Sequence, residues 1–319
     1  MRVLVTGGAG FIGANLARRL VAADHHVVVI DDLSTGNLAN LAPVVRDLEV
    51  HEASVLDRAV LQRAVAGVDA VVHLAARPSV PRSIADPLAT HVANVDGTLA
   101  VLEAARSAGA GAARPPYVVV ASSSSVYGAN PALPKHEGLV AQPLSPYAAS
   151  KLAAEAYTSA YAHSYGLDTL AFRFFNVFGP LQPAGHAYAA VVPAFVEAAL
   201  AGRPLVVHGD GTQTRDFTFV DTVTEVLDDA VTRRVTTDGP VNLAFGTRTD
   251  LLSLIERLEH LVGHPLEREH DGGRPGDVAH SEADATRLRA LFPGVEPVDL
   301  DAGLAATVDW FRSERAADR

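Results

Sequence analysis

There is no cysteine among the 319 residues. Disulfides, thiol catalysis and thiolate metal sites are thereby excluded. Positive charge is also short. Against 37 Asp and Glu stand 26 Lys and Arg, for a formal net charge of −11, and no basic run stands out. That argues against nucleic acid or an anionic membrane as the main partner, while leaving room for a local cationic pocket that takes a small anion. No apolar run approaches the roughly 20 residues needed to span a bilayer. The sequence opens directly on the apolar Arg2-Val3-Leu4-Val5, with no sign of a signal peptide. The expectation is a soluble, cytoplasmic protein. The 13 histidines are scattered apart from the pair His25-His26. Solvated or hydrogen-bonded histidines are expected, and no metal site.

What is present is apolar surface, at 48% hydrophobic residues. A chain of this length can bury one large domain or two coupled ones. Its first half alternates strands with helices. Val3–Thr6, Val27–Ile30, Ala70–Leu74, Tyr117–Ala121 and Thr169–Phe174 are short apolar runs. Between them, Phe11–Ala23, Val55–Ala66, Pro87–Ala108 and Pro146–Tyr165 have helical spacing. Continuous apolar strands separated by helices indicate a doubly wound parallel sheet covered on both faces, an α/β fold of the Rossmann type. After Phe175 the rhythm changes. A loop over Gly179–Ala187, a helix over Tyr188–Ala201, strands over Leu205–His208 and Pro240–Ala244 and a helix over Leu251–Val262 suggest a smaller α/β domain. The expected division is residues 1–175 with about 217–245 for the first domain, and 176–216 with 246–319 for the second.

The segment Val5-Thr6-Gly7-Gly8-Ala9-Gly10-Phe11-Ile12-Gly13 joins the first strand to the first helix. Glycines also serve ordinary turns. In this context Gly7 permits the tight turn, Gly10 lets backbone approach a pyrophosphate, and Gly13 allows close packing of helix on sheet. The helix start then offers free N–H groups to phosphate oxygens. Asp31, at the end of the second strand, is placed to accept hydrogen bonds from an adenosine ribose and to repel a 2′-phosphate. NAD is therefore favoured over NADP.

Tyr147 and Lys151, four apart at the start of a helix, lie on one face. On a surface helix they would be a packing tyrosine and a solvated lysine. In a site, the phenol could act as a base. Lowering its pKa by ~3 units requires about 4 kcal/mol of selective stabilisation of the phenolate. The ammonium and a positively charged nicotinamide are the available sources. The serine run Ser122–Ser125 follows an apolar strand, where folds of this kind bind ligands. One of these hydroxyls could reach both substrate and Tyr147, and the others read as a polar turn.

Together these motifs resemble the extended short-chain dehydrogenase/reductase family, and within it the nucleotide-sugar 4-epimerases. The glycine turn, His73-Leu74-Ala75-Ala76, Ser122–Gly128, Ser145–Lys151, Arg173–Asn176 and Arg274–Asp277 follow the family's order and spacing over nearly the whole chain. The resemblance implies Tyr147 as general base and Lys151 as its partner on the nicotinamide ribose. It implies Ser123 as the catalytic hydroxyl, with Ser124 as an alternative. Cofactor contacts are implied for Gly7, Gly10, Phe11, Ile12, Asp31, Val55, Leu74, Ala75, Ala76 and Asn94, and for Ser54 where the family often has an aspartate. Asn176, Arg215 and Arg274 match residues that hold the substrate diphosphate, where arginine forks suit phosphate oxygens. The implied partners are a UDP-sugar and a second copy of the chain, paired through the helices Pro87–Ala108 and Pro146–Tyr165.

The implied reaction removes the 4-hydroxyl proton, moves hydride from carbon 4 to NAD, and returns it to the other face of a 4-keto sugar. Sister dehydratases and decarboxylases resemble Thr-Asp-Glu, or place a glutamate, where Ser123, Ser124 and Ser125 stand. Without those carboxylates, plain 4-epimerisation is favoured. Arg77–Ile84 resembles a segment of epimerases acting on UDP-N-acetylglucosamine, and the small Ser281 would leave room for an acetamido group. UDP-glucuronate is the alternative substrate. A non-catalytic NAD-binding regulatory protein is the alternative of another class, although such relatives usually lose the tyrosine–lysine pair.

Overall fold

The computed structural model describes residues 1–110, 114–184, 189–272 and 280–317. Its strands are β1 (Arg2–Thr6), β2 (His26–Asp31), β3 (Leu48–Glu52), β4 (Ala70–His73), β5 (Tyr117–Ser123), β6 (Thr169–Phe174), β7 (Asn176–Phe178), β8 (Leu205–His208), β9 (Thr214–Arg215), β10 (Phe217–Phe219), β11 (Val241–Leu243), β12 (Thr249–Asp250) and β13 (Arg268–Asp271). Its helices are α1 (Phe11–Ala22), α2 (Arg58–Val65), α3 (Val80–Ala85), α4 (Pro87–His91), α5 (Gly97–Gly109), α6 (Pro146–Tyr165), α7 (Val191–Leu200), α8 (Val220–Arg233), α9 (Leu251–Val262), α10 (Thr286–Leu291) and α11 (Leu300–Ala317). None of the helices among the described residues is long and apolar enough to cross a membrane.

Seven strands form one parallel sheet in the order β11-β6-β5-β4-β1-β2-β3. The apolar runs explain its two layers. Successive side chains on a strand point to opposite faces. Val3 and Val5 join Val27 and Val29 in a core with residues of α1 and α8. Leu4 joins Val28 and Ile30 in a second core with residues of α2, α5 and α6. A doubly wound Rossmann-type α/β fold results, as the alternation of runs and helices implies. A third core, around Phe178, Phe195, Leu205, Phe217, Leu254 and Leu304, lies under the short strands and helices of the second half.

Local boundaries shift for identifiable reasons. The helix expected from Val55 starts at Arg58, because the Asp57 carboxylate caps it by accepting from Ala59 N and Val60 N. β5 continues past Ala121 to Ser123, paired with Arg173 and Phe174 of β6. The helix expected from Tyr188 begins at Val191, and Tyr188 itself lies outside the described residues. The helix expected over Pro87–Ala108 is interrupted by a π-helical turn at Val92–Asp96. The turn is defined by its backbone hydrogen bonds, which residue spacing over a short stretch does not disclose.

Candidate active site

A cavity of about 1010 Å³ runs along the carboxyl ends of β1, β2, β4 and β5. It crosses the crevice between β1 and β4, where strand order reverses and folds of this kind bind ligands. Gly7, Gly10, Phe11 and Ile12 line it from the glycine turn. Gly7 takes φ +68°, and a Cβ on Gly13 would fall 2.1 Å from the Gly7 carbonyl oxygen, so the start of α1 is pressed onto the turn. α1 opens at Gly10 with no side-chain cap, which leaves its first N–H groups for a ligand's anionic oxygens.

Asp31 lines the same cleft and also braces the turn. Its Oδ2 accepts from Ala9 N and its Oδ1 from Leu33 N, both at 2.9 Å. Burial raises its pKa, and these backbone donors pull the other way. Ser54 and Val55 close the adenine end, with Ser54 Oγ already accepting from Leu56 N at 3.2 Å. Leu74, Ala75 and Ala76 form the opposite wall. The cradle, the glycine turn and the ribose-level carboxylate fit a dinucleotide.

At the inner end, α6 delivers Tyr147 and Lys151. The helix is fixed by Ser145, whose Oγ accepts from Ala148 N at 3.1 Å, and by Pro146 in its first turn. Ser123, the last residue of β5, lines the same cavity as Tyr147 and is the one side chain that opposes the rise of its pKa. Ser125 donates to Ser123 Oγ from both its hydroxyl (2.9 Å) and its backbone N–H (3.2 Å). With its acceptor sites so engaged, the Ser123 hydroxyl is set to donate to the phenol oxygen, which favours the phenolate. Ser124 lines neither this cavity nor the next.

The expected depression of the phenol pKa does not come from these side chains. Burial pushes Tyr147 up, and Ser123 only offsets it. Lys151 Nζ lies 5.9 Å from the Tyr147 ring centroid and donates to Ala121 O at 2.9 Å. Burial pushes its ammonium down to about 8.

Asn94 lies in the π turn next to Val92 and Ala93, which line the cleft. The π turn faces it inward, where its Oδ1 accepts from Arg77 N at 2.7 Å and its Nδ2 donates to Ser150 Oγ at 2.9 Å. Ser150 Oγ in turn donates to Tyr147 O at 2.7 Å. Asn94 therefore braces the catalytic helix.

Two buried networks beneath the site escaped sequence reasoning. Ala75 N donates to Thr6 Oγ1, which lies 2.8 Å from His73 Nδ1, and His73 Nε2 lies 3.1 Å from Thr98 Oγ1, which donates to Asn94 O. Because Thr98 spends its proton on Asn94, His73 donates from Nε2 and accepts at Nδ1. The imidazole is wholly buried and its pKa is pushed down to about 3, so it stays neutral. In the second network, Arg173 forks onto Glu155 at 2.9 and 2.8 Å, and Ser122 donates to the same carboxylate.

A second cavity, of about 450 Å³, shares Pro78, Tyr147, Phe175, Val177 and Gln182 with the first. Asn176 and Arg215 line it, with Ser79, Phe195, His208 and Gln213. Ser281, expected opposite the sugar, does not line it. That residue's backbone N–H is bound to Thr214 O at 3.1 Å, an edge contact to β9 that turns the segment along the strand. Arg274 lies outside the described residues. His208 and Gln213 had no signal beyond their place in a turn-rich stretch.

The chain matches the model of the NAD dependent epimerase/dehydratase family over residues 3–244. It is 40% identical to a UDP-glucose 4-epimerase of Mycolicibacterium smegmatis, over 98% of this chain and 99% of that protein. It is 33% identical to a probable UDP-glucuronate 4-epimerase of Rhizobium meliloti, over 98% and 97% respectively. Among solved structures, a UDP-N-acetylglucosamine 4-epimerase from Methanobrevibacter ruminantium, in complex with UDP-N-acetylmuramic acid, superposes with a TM-score of 0.91 at 36% identity over 98% of both chains. With this fold, this pair of cavities and these matches, the chain belongs to the NAD dependent epimerase/dehydratase family.

Proposed function

We propose that this enzyme interconverts the 4-epimers of UDP-hexoses, both UDP-glucose with UDP-galactose and UDP-N-acetylglucosamine with UDP-N-acetylgalactosamine. The observation that carries the reading is Tyr147 at the junction of the two cavities, with Ser123 and Lys151 lining the larger one beside it. The larger cavity suits a dinucleotide. The smaller presents Arg215 and Asn176 to a diphosphate. Residues 1–175 with about 217–245 hold the cofactor, and 176–216 with 246–319 hold the sugar nucleotide.

NAD held by the glycine turn, Asp31 and the Leu74–Ala76 wall would supply a hydride acceptor, and then a hydride donor, for carbon 4. Tyr147 takes the 4-hydroxyl proton as that bond is oxidised and gives it back on the return step. Ser123 holds the sugar oxygen and the phenol in line. Lys151 orients the cofactor ribose and adds positive charge beside the phenolate. Elimination or decarboxylation would need a further acid or base. Positions 123–125 are serines, and Glu155, which reaches this run through Ser122, is spent on Arg173. The N-acetyl arm is supported by Pro78 and Ser79, which place the Arg77–Ile84 segment at the smaller cavity.

The active unit in this reading is a homodimer. Leu88, Tyr157 and Tyr165 are exposed on the helices expected to pair. Light scattering should give roughly twice 33.4 kDa, and a monomer would refute the pairing. The activity is tested by incubating the protein with UDP-glucose, UDP-N-acetylglucosamine and UDP-glucuronate and resolving the products. Turnover of the first two is expected. Conversion of UDP-glucuronate alone would move the assignment to that sugar. No turnover of any would favour a non-catalytic NAD-binding role.

A further inference from the structure

Asp216 is the single residue between β9 and β10, and it is completely buried. The segments around it are short. β9 pairs with β12 through only Thr249–Arg215 and Asp250–Thr214. β10 pairs with β7, beginning at Phe217 and Asn176. Thr214 also bridges to His280. Strands of two or three residues have too few ladder bonds to fix their own register.

The Asp216 side chain ties these pieces together. Its Oδ2 accepts from Gly246 N at 3.1 Å and from Ala283 N at 3.0 Å, and its Oδ1 accepts from Thr247 Oγ1 at 2.9 Å. Its backbone oxygen accepts from Asn176 N at 3.1 Å and from Asn176 Nδ2 at 3.4 Å. One residue thus holds four stretches: the chain at 176, the strand carrying Arg215, the loop at 246–247 and the segment at 283. Two of them carry the groups that line the smaller cavity, Asn176 and Arg215.

We propose that Asp216 is the positioning residue of the sugar-nucleotide pocket: its buried carboxylate anchors the strand that carries Arg215 and its backbone oxygen holds Asn176, which sets both for the diphosphate without Asp216 touching substrate itself. The proposal rests on the reading of that cavity as a UDP site. The surrounding donors, two backbone N–H groups and a threonine hydroxyl, are matched to an ionised carboxylate. A neutral amide in the same place would turn an N–H toward an N–H and leave a buried donor unmatched. Burial raises the carboxyl pKa to about 6, with these donors opposing, so it remains mostly ionised at neutral pH.

The test uses Asp216→Asn and Thr247→Val in the full chain, with UDP as the binding probe. Calorimetry should show UDP affinity falling about tenfold in Asp216→Asn and about threefold in Thr247→Val, which removes one of the donors. KM for the UDP-sugar should rise in parallel, while kcat stays within about threefold and NAD content is unchanged. Unchanged UDP affinity in both variants would overturn the proposal. So would equal losses of UDP affinity, kcat and NAD content, which is the mark of general damage. If Asp216→Asn does not fold, Thr247→Val alone decides between these outcomes. A wild-type protein that binds UDP but turns over no UDP-sugar would sink the epimerase reading while leaving the UDP titration of the variants a valid test. A wild-type protein that does not bind UDP would overturn both.

Discussion

The two cavities meet at Tyr147 and are built in different ways. Along the larger one, strand ends of a single seven-stranded sheet deliver Gly7, Asp31, Leu74 and Ser123 in chain order, each at the same level of a continuous ladder. Around the smaller one, β7, β9, β10 and β12 are two or three residues long and meet through Asp216. The difference teaches where precision comes from. A parallel sheet packed on both faces fixes its strand ends through its core, so backbone groups and a few side chains suffice to hold a cofactor. A wall of short strands lacks that ladder and needs a buried polar knot.

If the halves are independent in this way, perturbations should separate. The largest effect is expected at their junction. Tyr147→Phe should lower kcat about 10³-fold with NAD content and UDP affinity intact, and a loss under tenfold would remove the phenol from the chemistry. Next comes the brace under the sheet-built side. Glu155→Gln leaves the Arg173 guanidinium buried without its carboxylate and should cost about 4 kcal/mol in urea unfolding. A cost below about 1 kcal/mol would show that the fork is dispensable.

A smaller effect is expected from Leu254→Ala, in the third core. It should cost about 3 kcal/mol and weaken UDP binding more than NAD binding. Equal weakening of the two would contradict the separation. The smallest, taken over a single pH unit, is a slope from His73. Its folded pKa, about 3, lies below the ordinary 6.5, so the unfolded chain takes up a proton that the folded chain refuses. Stability should therefore fall as pH drops from 6.5 towards 3, by up to about 1.4 kcal/mol per pH unit from this residue. His73→Gln should flatten that slope by one proton, and an unaltered slope would mean that the imidazole is charged or solvated in the fold.

The same contrast governs what the sequence disclosed. Gly7–Gly13, Asp31, Ser123, Tyr147 and Lys151 sit in local patterns tied to a strand end or a helix start, and a strand end lies where its apolar run stops. Asn176 and Arg215 reach one cavity, and the Asp216 contacts around them, its backbone oxygen to Asn176 and its carboxylate to Gly246, Thr247 and Ala283, join residues far apart in sequence that no periodicity reports. The bracing role of Asn94 rests on its bonds to Arg77 N and Ser150 Oγ, partners 17 and 56 residues away that no local pattern reports. The bond from Ser281 N to Thr214 O, which lays the segment at 281 along β9, joins residues 67 apart and has no local signature. The depth of Tyr147 was not legible either: desolvation by the folded core raises its pKa by more than Ser123 lowers it, and burial depth is not written in a four-residue spacing.

The central claim is that the hydride leaving the sugar is stored in the site and returned within one turnover. UDP-glucose carrying deuterium at carbon 4 tests it most directly, converted in ordinary water and analysed by NMR. The account predicts UDP-galactose with the deuterium retained at carbon 4. Replacement of that deuterium by solvent hydrogen would contradict it.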